Sequence, residues 1–246
     1  KLPHPCHQAC RRGSIPTDNH QSLLDTLCLL ILPPRILLVT HSRVWNNPLV
    51  AAVLRYADCF SVSDTGWDDR LEYCRSFLDK GYSIAVFPEG RRSPDGNVQR
   101  FHKGAFYLAE RLGADLLPVF IHGAAHVMPV GTAFANRGGF DIEIGPRIPP
   151  DDSRFGTGYV ERCRGVHRYY VAHYEEICRR VETPAYFRSL VTGLYASVGL
   201  GRKAAEVLDG NRPDAWDVCT LVDALVHPGR SFTLPASSPL RKLYDK

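Results

Sequence analysis

Two groups of residues in this chain have the types and spacing for chemistry. The first is Asn19-His20-Gln21-Ser22-Leu23-Leu24-Asp25, where an imidazole precedes a carboxylate by five positions at the mouth of an apolar stretch. A carboxylate beside one ring nitrogen fixes the tautomer and stabilises the imidazolium, leaving the other nitrogen to take a proton from an alcohol. The same residues also suit a plainer arrangement, with Asn19 or Ser22 capping a helix and His20 in solvent. The second group is Phe87-Pro88-Glu89-Gly90-Arg91-Arg92-Ser93, which closes the apolar run 82–87. Between Glu89 and Lys103 stand the cations Arg91, Arg92, Arg100 and Lys103 against the acids Glu89 and Asp95. Such a loop can hold a phosphate, arginine as a two-pronged donor and lysine as a point charge. It also has the composition of an exposed turn with solvated arginines.

Elements of alternating type must bring these groups together. Residues 22–32 read as a short apolar helix stopped by Pro33-Pro34, and 36–40 as a strand. Pro48 suits the first turn of a helix to about residue 56, and 59–63 a second strand. Leu71, Cys74 and Leu78 recur at helical spacing within 68–80, with Gly81 as the cap. The run 82–87 is apolar almost throughout, as expected of a strand covered on both faces. Ala105, Leu108, Ala109 and Leu112 follow the i, i+3, i+4, i+7 rule, and Gly113 stops them. Residues 116–121 read as a buried strand, 140–144 as a half-buried one, and 159–181 as a helix rich in Arg, Tyr and Glu. This order predicts the α/β class, a mostly parallel central sheet flanked by helices, with ligands at the carboxyl ends of the strands. Residues 1–18 show no clear period, and Arg11 to Asp18 read as polar rather than as a strand leading to Asn19. Beyond Thr183-Pro184, scattered Gly and Pro break any long element.

Composition narrows the classes further. The 246 residues carry 30 basic and 26 acidic side chains, net +4, with 44% hydrophobic and 23% charged residues. That excludes wholesale disorder and supplies no basic arm, so no nucleic-acid partner is expected. Residues 23–39 are interrupted by Asp25, Pro33-Pro34 and Arg35 and do not read as a transmembrane helix; residues 1–18 lack the apolar core of a signal peptide. The chain begins at Lys1 and its one methionine is Met128, so a fragment of a longer chain is expected, with any anchor upstream of it. Eight cysteines without a C-x-x-C pair fit a reducing compartment better than a disulfide framework. His4, Cys6, His7 and Cys10 lack a second knuckle, and no metal site is expected. Gly199-Leu200-Gly201-Arg202-Lys203-Ala204 fits G-x-G-x-x-A but follows a poor strand, as a glycine-rich turn before a helix would. No G-x-S-x-G elbow supports a serine hydrolase.

Four blocks fall in one order along the chain: the His20/Asp25 block, the 87–93 turn, Phe101-His102-Lys103-Gly104-Ala105-Phe106 and Leu117-Pro118-Val119. In this order they resemble the glycerolipid acyltransferase family, which includes 1-acylglycerol-3-phosphate and glycerol-3-phosphate acyltransferases. The family's blocks are N-H-x-x-x-x-D, F-P-E-G-x-R-S, an F-K-K-G-A-F-like segment and a V-P-V-like strand. The resemblance covers residues 19–145 and implies an acyltransferase domain at 15–182, after a poorly defined segment 1–14 and before a tail at 183–246. It implies that His20 deprotonates an acceptor hydroxyl, which attacks an acyl thioester with no acyl-enzyme, while Asp25 positions His20. Glu89 and Gly90 would shape the acceptor site, Arg92 rather than Arg91 would touch the phosphate, and Lys103 would add charge. Arg91 stands where many members have threonine. The family's arginine after a short strand has no match in residues 59–64, so Arg43 or Arg55 would substitute.

The implied substrates are a thioester of coenzyme A or acyl carrier protein and a lysophospholipid or glycerol phosphate acceptor, with no cofactor. The implied place is peripheral, on the cytoplasmic face of a membrane. Residues 23–38 and the arginine- and tyrosine-rich 159–180 are candidate membrane surfaces, and both also suit packing against the domain. Two alternatives stay open: a non-catalytic lipid- or phosphate-binding module of a larger membrane-associated protein, and a thioester hydrolase.

Overall fold

Short apolar runs between turn residues become strands here, and the amphipathic stretches between them become the helices that cover the sheet. The computed structural model describes residues 13–31, 35–41, 58–62, 70–93, 96–128, 138–183, 185–186 and 189–190. The helix expected at 48–56, Arg43, Arg55, the His4/Cys6/His7/Cys10 group and the glycine turn at 199–204 lie outside them. The chain divides into two compact units: 1–93, 97–121 and 142–172 form the first, and 94–96, 122–141 and 173–246 the second.

The elements are β1 (Ile15–Asp18), α1 (Leu23–Ile31), β2 (Ile36–His41), β3 (Asp58–Val62), α2 (Leu71–Asp79), β4 (Ser83–Ala85), α3 (Gly104–Leu112), β5 (Leu116–His122), α4 (Ala124–Val127), β6 (Asp141–Ile144) and α5 (Gly158–Val181). Sequence periodicity anticipated each of these but β1 and the short α4 to within a few residues. Gly113 ends α3 in the left-handed region, φ 64°, as its cap position requires.

Strands β3-β2-β4 form an all-parallel sheet and β1-β5-β6 a second. In the second, β1 and β5 are parallel, and the return through Ile148 pairs antiparallel with Leu116. The two sheets join edge to edge: the Ile84 N–H donates to Ser14 O at 2.9 Å and the Val86 N–H to Pro16 O at 2.9 Å. The resulting order is β3-β2-β4-β1-β5-β6, with Ile15, Leu37, Leu38, Ile84, Leu116 and Leu117 buried in it.

Right-handed crossovers decide which face each helix takes. The chain runs leftward from β1 to β2 and rightward from β3 to β4 and from β4 to β5, so α1 covers one face and α2 with α3 the other. The Arg75 guanidinium of α2 donates to Arg111 O of α3 at 3.1 Å, as neighbours on one face can. The adjacent strands β4 and β1 therefore send their connections to opposite faces. A crevice opens at the carboxyl ends of such a pair, and both chemical groups of the sequence are attached there.

Strand β1 corrects the sequence reading. Ile-Pro-Thr-Asp carries no strand signature, yet all four residues are buried. Its polarity is absorbed by a distant residue. The Tyr170 hydroxyl, on fully buried Tyr170 of α5, donates to Thr17 O at 2.6 Å, lies 2.8 Å from Thr17 Oγ1 and accepts the Val119 N–H at 3.3 Å. Burial pushes that phenol well above its usual range, so it stays a neutral donor. Pro16 has no N–H for the ladder but still offers its carbonyl to Val86.

In the second unit, His122 Nε2 lies 2.9 Å from Glu182 Oε1, and His126 Nδ1 3.0 Å from the Tyr186 hydroxyl. Among the described residues no helix is long and apolar enough to cross a membrane.

Candidate active site

Asn19, the first residue beyond β1, extends the strand with its side chain. Its Oδ1 accepts the Ile121 N–H and its Nδ2 donates to Ile121 O, both at 2.9 Å. The amide thus stands in for a peptide group and fixes the chain direction just before His20.

Asp25 does two jobs at the start of α1. Ser22 and Asp25 form a reciprocal capping pair: the Leu24 N–H donates to Ser22 Oγ at 3.3 Å, and the Ser22 N–H to Asp25 Oδ2 at 2.6 Å. The same Oδ2 accepts the Gln21 N–H at 2.6 Å and faces His20 Nδ1 at 3.0 Å. The two arrangements that sequence left open, a helix cap and a His/Asp pair, therefore coexist. Asp25 is fully buried at a helix N-terminus, whose dipole favours the carboxylate.

His20 is held from every side but one. Its ring stacks on Phe87 with centroids 4.0 Å apart and planes 21° apart. Its N–H donates to Glu89 Oε1 at 3.1 Å, and its carbonyl accepts the Ser93 N–H at 2.6 Å. With Nδ1 donating to Asp25, Nε2 is the acceptor, and the side chain keeps 15% of its surface open. This geometry can remove a proton from a hydroxyl presented at Nε2 and hold the resulting imidazolium against Asp25.

Of the residues singled out in the second group, the turn brings Glu89 to His20 and leaves the others around it. Glu89 is 2% exposed. Gly90 has φ 67°, and a Cβ there would meet the His102 ring at 3.1 Å. Arg91, Arg92 and Lys103 are exposed, and none of their side chains makes a hydrogen bond or ion pair among the described residues. Lys103 immediately precedes α3.

Sequence reasoning offered Asn19 only as a helix cap and gave no role at the site to Ser93, Tyr170 or Asp18. The first two lie inside the quoted blocks, so their positions were a usable signal. Tyr170 is 153 residues from Thr17, and nothing local marks it. Asp18 is fully buried, and burial, then the charges of Asp25 and Glu89, push its carboxyl well above the ordinary carboxylate range. A carboxyl raised in the folded state stabilises the fold below its unfolded pKa and loses that contribution as pH rises through the folded one. Asp18→Asn is accordingly expected to melt at a higher temperature than the parent near neutral pH, the gap closing on acidification. Thermal melts across that range check this, and a pH-independent gap would refute it.

An α/β protein with a histidine–carboxylate pair at the switch point of a mostly parallel sheet is the class that fold and site define. Residues 7–122 match the family model Acyltransferase. A chloroplastic 1-acyl-sn-glycerol-3-phosphate acyltransferase of Arabidopsis thaliana is 31% identical over 118 residues, which are 47% of this chain and 33% of that one. The human 1-acyl-sn-glycerol-3-phosphate acyltransferase beta is 24% identical over 143 residues, 56% of this chain and 51% of that one. The crystal structure of the 1-acyl-sn-glycerophosphate acyltransferase from Thermotoga maritima matches with a TM-score of 0.56 at 27% identity, over 68% of this chain and 66% of that one. Over these residues the chain is similar to 1-acylglycerol-3-phosphate acyltransferases. It spans only 33% and 34% of the length of the Arabidopsis and Brassica napus relatives.

Proposed function

We propose that the protein transfers a fatty acyl group from a thioester to the free hydroxyl of a 1-acylglycerol-3-phosphate-like acceptor. The observation that carries the reading is the 3.0 Å contact between His20 Nδ1 and a buried Asp25 that is itself anchored by two backbone N–H groups. The similar proteins from Arabidopsis, human and Thermotoga, all 1-acylglycerol-3-phosphate acyltransferases, support the acceptor class.

In the proposed reaction the acceptor oxygen attacks the thioester carbonyl while its proton passes to His20 Nε2. The tetrahedral adduct collapses, the C–S bond breaks, and the leaving thiolate takes the proton back. Asp25 stabilises the imidazolium between the two transfers. A thioester already carries a good leaving group, so activating the hydroxyl is the main task. The work is done at a bilayer surface, because both lysophospholipid and product partition there.

In this reading Arg92, exposed beside the Glu89-Gly90 turn, meets the acceptor's phosphate as a two-pronged donor. Arg92→Ala is expected to raise the apparent KM for lysophosphatidate by about tenfold and that for the thioester much less. Steady-state kinetics with each substrate varied in turn check this; an effect confined to the thioester would reverse the assignment.

A further inference from the structure

Next to the Glu89-Gly90 turn the first unit holds a cleft of about 570 Å³. Segment 100–103 and one stretch of α5 line it, contributing Arg100, His102 and Lys103 from the first and Arg164, His167 and Arg168 from the second. No carboxylate is among the lining residues. Arg100, Lys103, Arg164 and Arg168 are exposed, and among the described residues none of their side chains makes a hydrogen bond or a close ion pair. The acid nearest in sequence on α5, Glu161, feels Arg164 but has its Oε2 engaged by the Thr157 N–H and hydroxyl at 3.0 and 2.9 Å. The cations converge, since the buried Cys163 thiol feels Lys103, Arg100 and Arg164 together. Four positive charges around one concavity repel each other, and an anion in it relieves that repulsion.

We propose that this cleft takes the phosphate-rich nucleotide handle of a coenzyme A thioester, the acyl donor in the reaction proposed above. That reading of the protein is the premise. Charge and size select this ligand: a phosphomonoester acceptor brings roughly 1.5 to 2 negative charges, whereas a 3′-phosphate plus a diphosphate brings about twice that. The volume lies in the range of small-molecule sites and far exceeds one phosphate. The cleft is also tied to the reaction centre. The His102 N–H donates to Pro88 O at 2.7 Å, and its ring abuts Gly90, one residue from the Glu89 that holds His20. A flexible arm between nucleotide and sulfur lets the handle and the reacting carbonyl occupy neighbouring sites.

The test uses the full chain and two exposed positions whose substitution leaves the core intact. Arg164→Gln with Arg168→Gln is expected to raise the KM for a long-chain acyl-coenzyme A at least about tenfold. The KM for lysophosphatidate should stay within about twofold, as should kcat/KM for the same acyl group on N-acetylcysteamine, which carries no phosphate. The Arg164→Lys, Arg168→Lys pair keeps the charge and should recover most of the affinity, which a packing defect would not do. Titration calorimetry adds a readout independent of turnover: adenosine 3′,5′-bisphosphate should bind the parent and lose affinity in the Gln pair. An unchanged acyl-coenzyme A KM overturns the proposal, as does a rise confined to lysophosphatidate. Binding of adenosine 3′,5′-bisphosphate that the Gln pair does not weaken overturns it too. A parent that turns over neither thioester refutes the acyl-transfer reading instead, and the calorimetry still decides on the cleft.

Discussion

His20→Ala should fold and transfer acyl groups about 10³-fold more slowly than the parent, the scale of a lost general base. Folding is expected to survive because the backbone bonds at position 20, to Glu89 Oε1 and from Ser93, do not involve the ring. What disappears is the stack on Phe87 and the hydrogen bond to Asp25. Added imidazole should restore part of the rate, because truncation leaves a space beside Asp25 that a free ring can enter. Retained activity in a variant with an unchanged circular dichroism spectrum would show that another group removes the proton.

Asp25→Asn should lower turnover by about 10²-fold or more while costing only about 1 kcal/mol of stability. The two effects separate because Asp25 serves two purposes. A neutral amide oxygen at the Oδ2 position can still accept from the Gln21 and Ser22 N–H groups, so most of the cap remains. It cannot stabilise an imidazolium as a carboxylate does. Loss of turnover with KM nearly unchanged is the expected signature. A variant that loses stability in proportion to activity would make Asp25 a structural cap alone.

The extent to which sequence foretold this molecule varies with the range of the interactions involved. Helix α3 was legible because Ala105, Leu108 and Ala109 cover one face and Gly113 must turn left-handed, both local requirements. The His20/Asp25 block was legible as a motif, and its geometry as both helix cap and hydrogen-bonded His/Asp pair follows from a spacing that fits both. Strand β1 was not, because its polarity is satisfied by Tyr170 and because its flanking strands, β4 and β5, arrive from 70 and 101 residues away. The cations of the cleft were visible only in two separate lists, one beside the 87–93 turn and one in α5. Their convergence depends on how α5 packs, which no short pattern encodes. Asp18 read as one more polar residue before Asn19, and only its burial beside two other carboxyls distinguishes it.

The central claim is acyl transfer to a hydroxyl activated by His20. Thiol release from a long-chain acyl-coenzyme A, followed with lysophosphatidate, with glycerol-3-phosphate and with no acceptor, tests it most directly when the parent and His20→Ala are run together. The account predicts release that depends on lysophosphatidate in the parent and collapses in the variant, with the diacyl product formed in equal amount. Equal release without acceptor would mean thioester hydrolysis, and no release from a folded parent would mean a binding module; either result would contradict it.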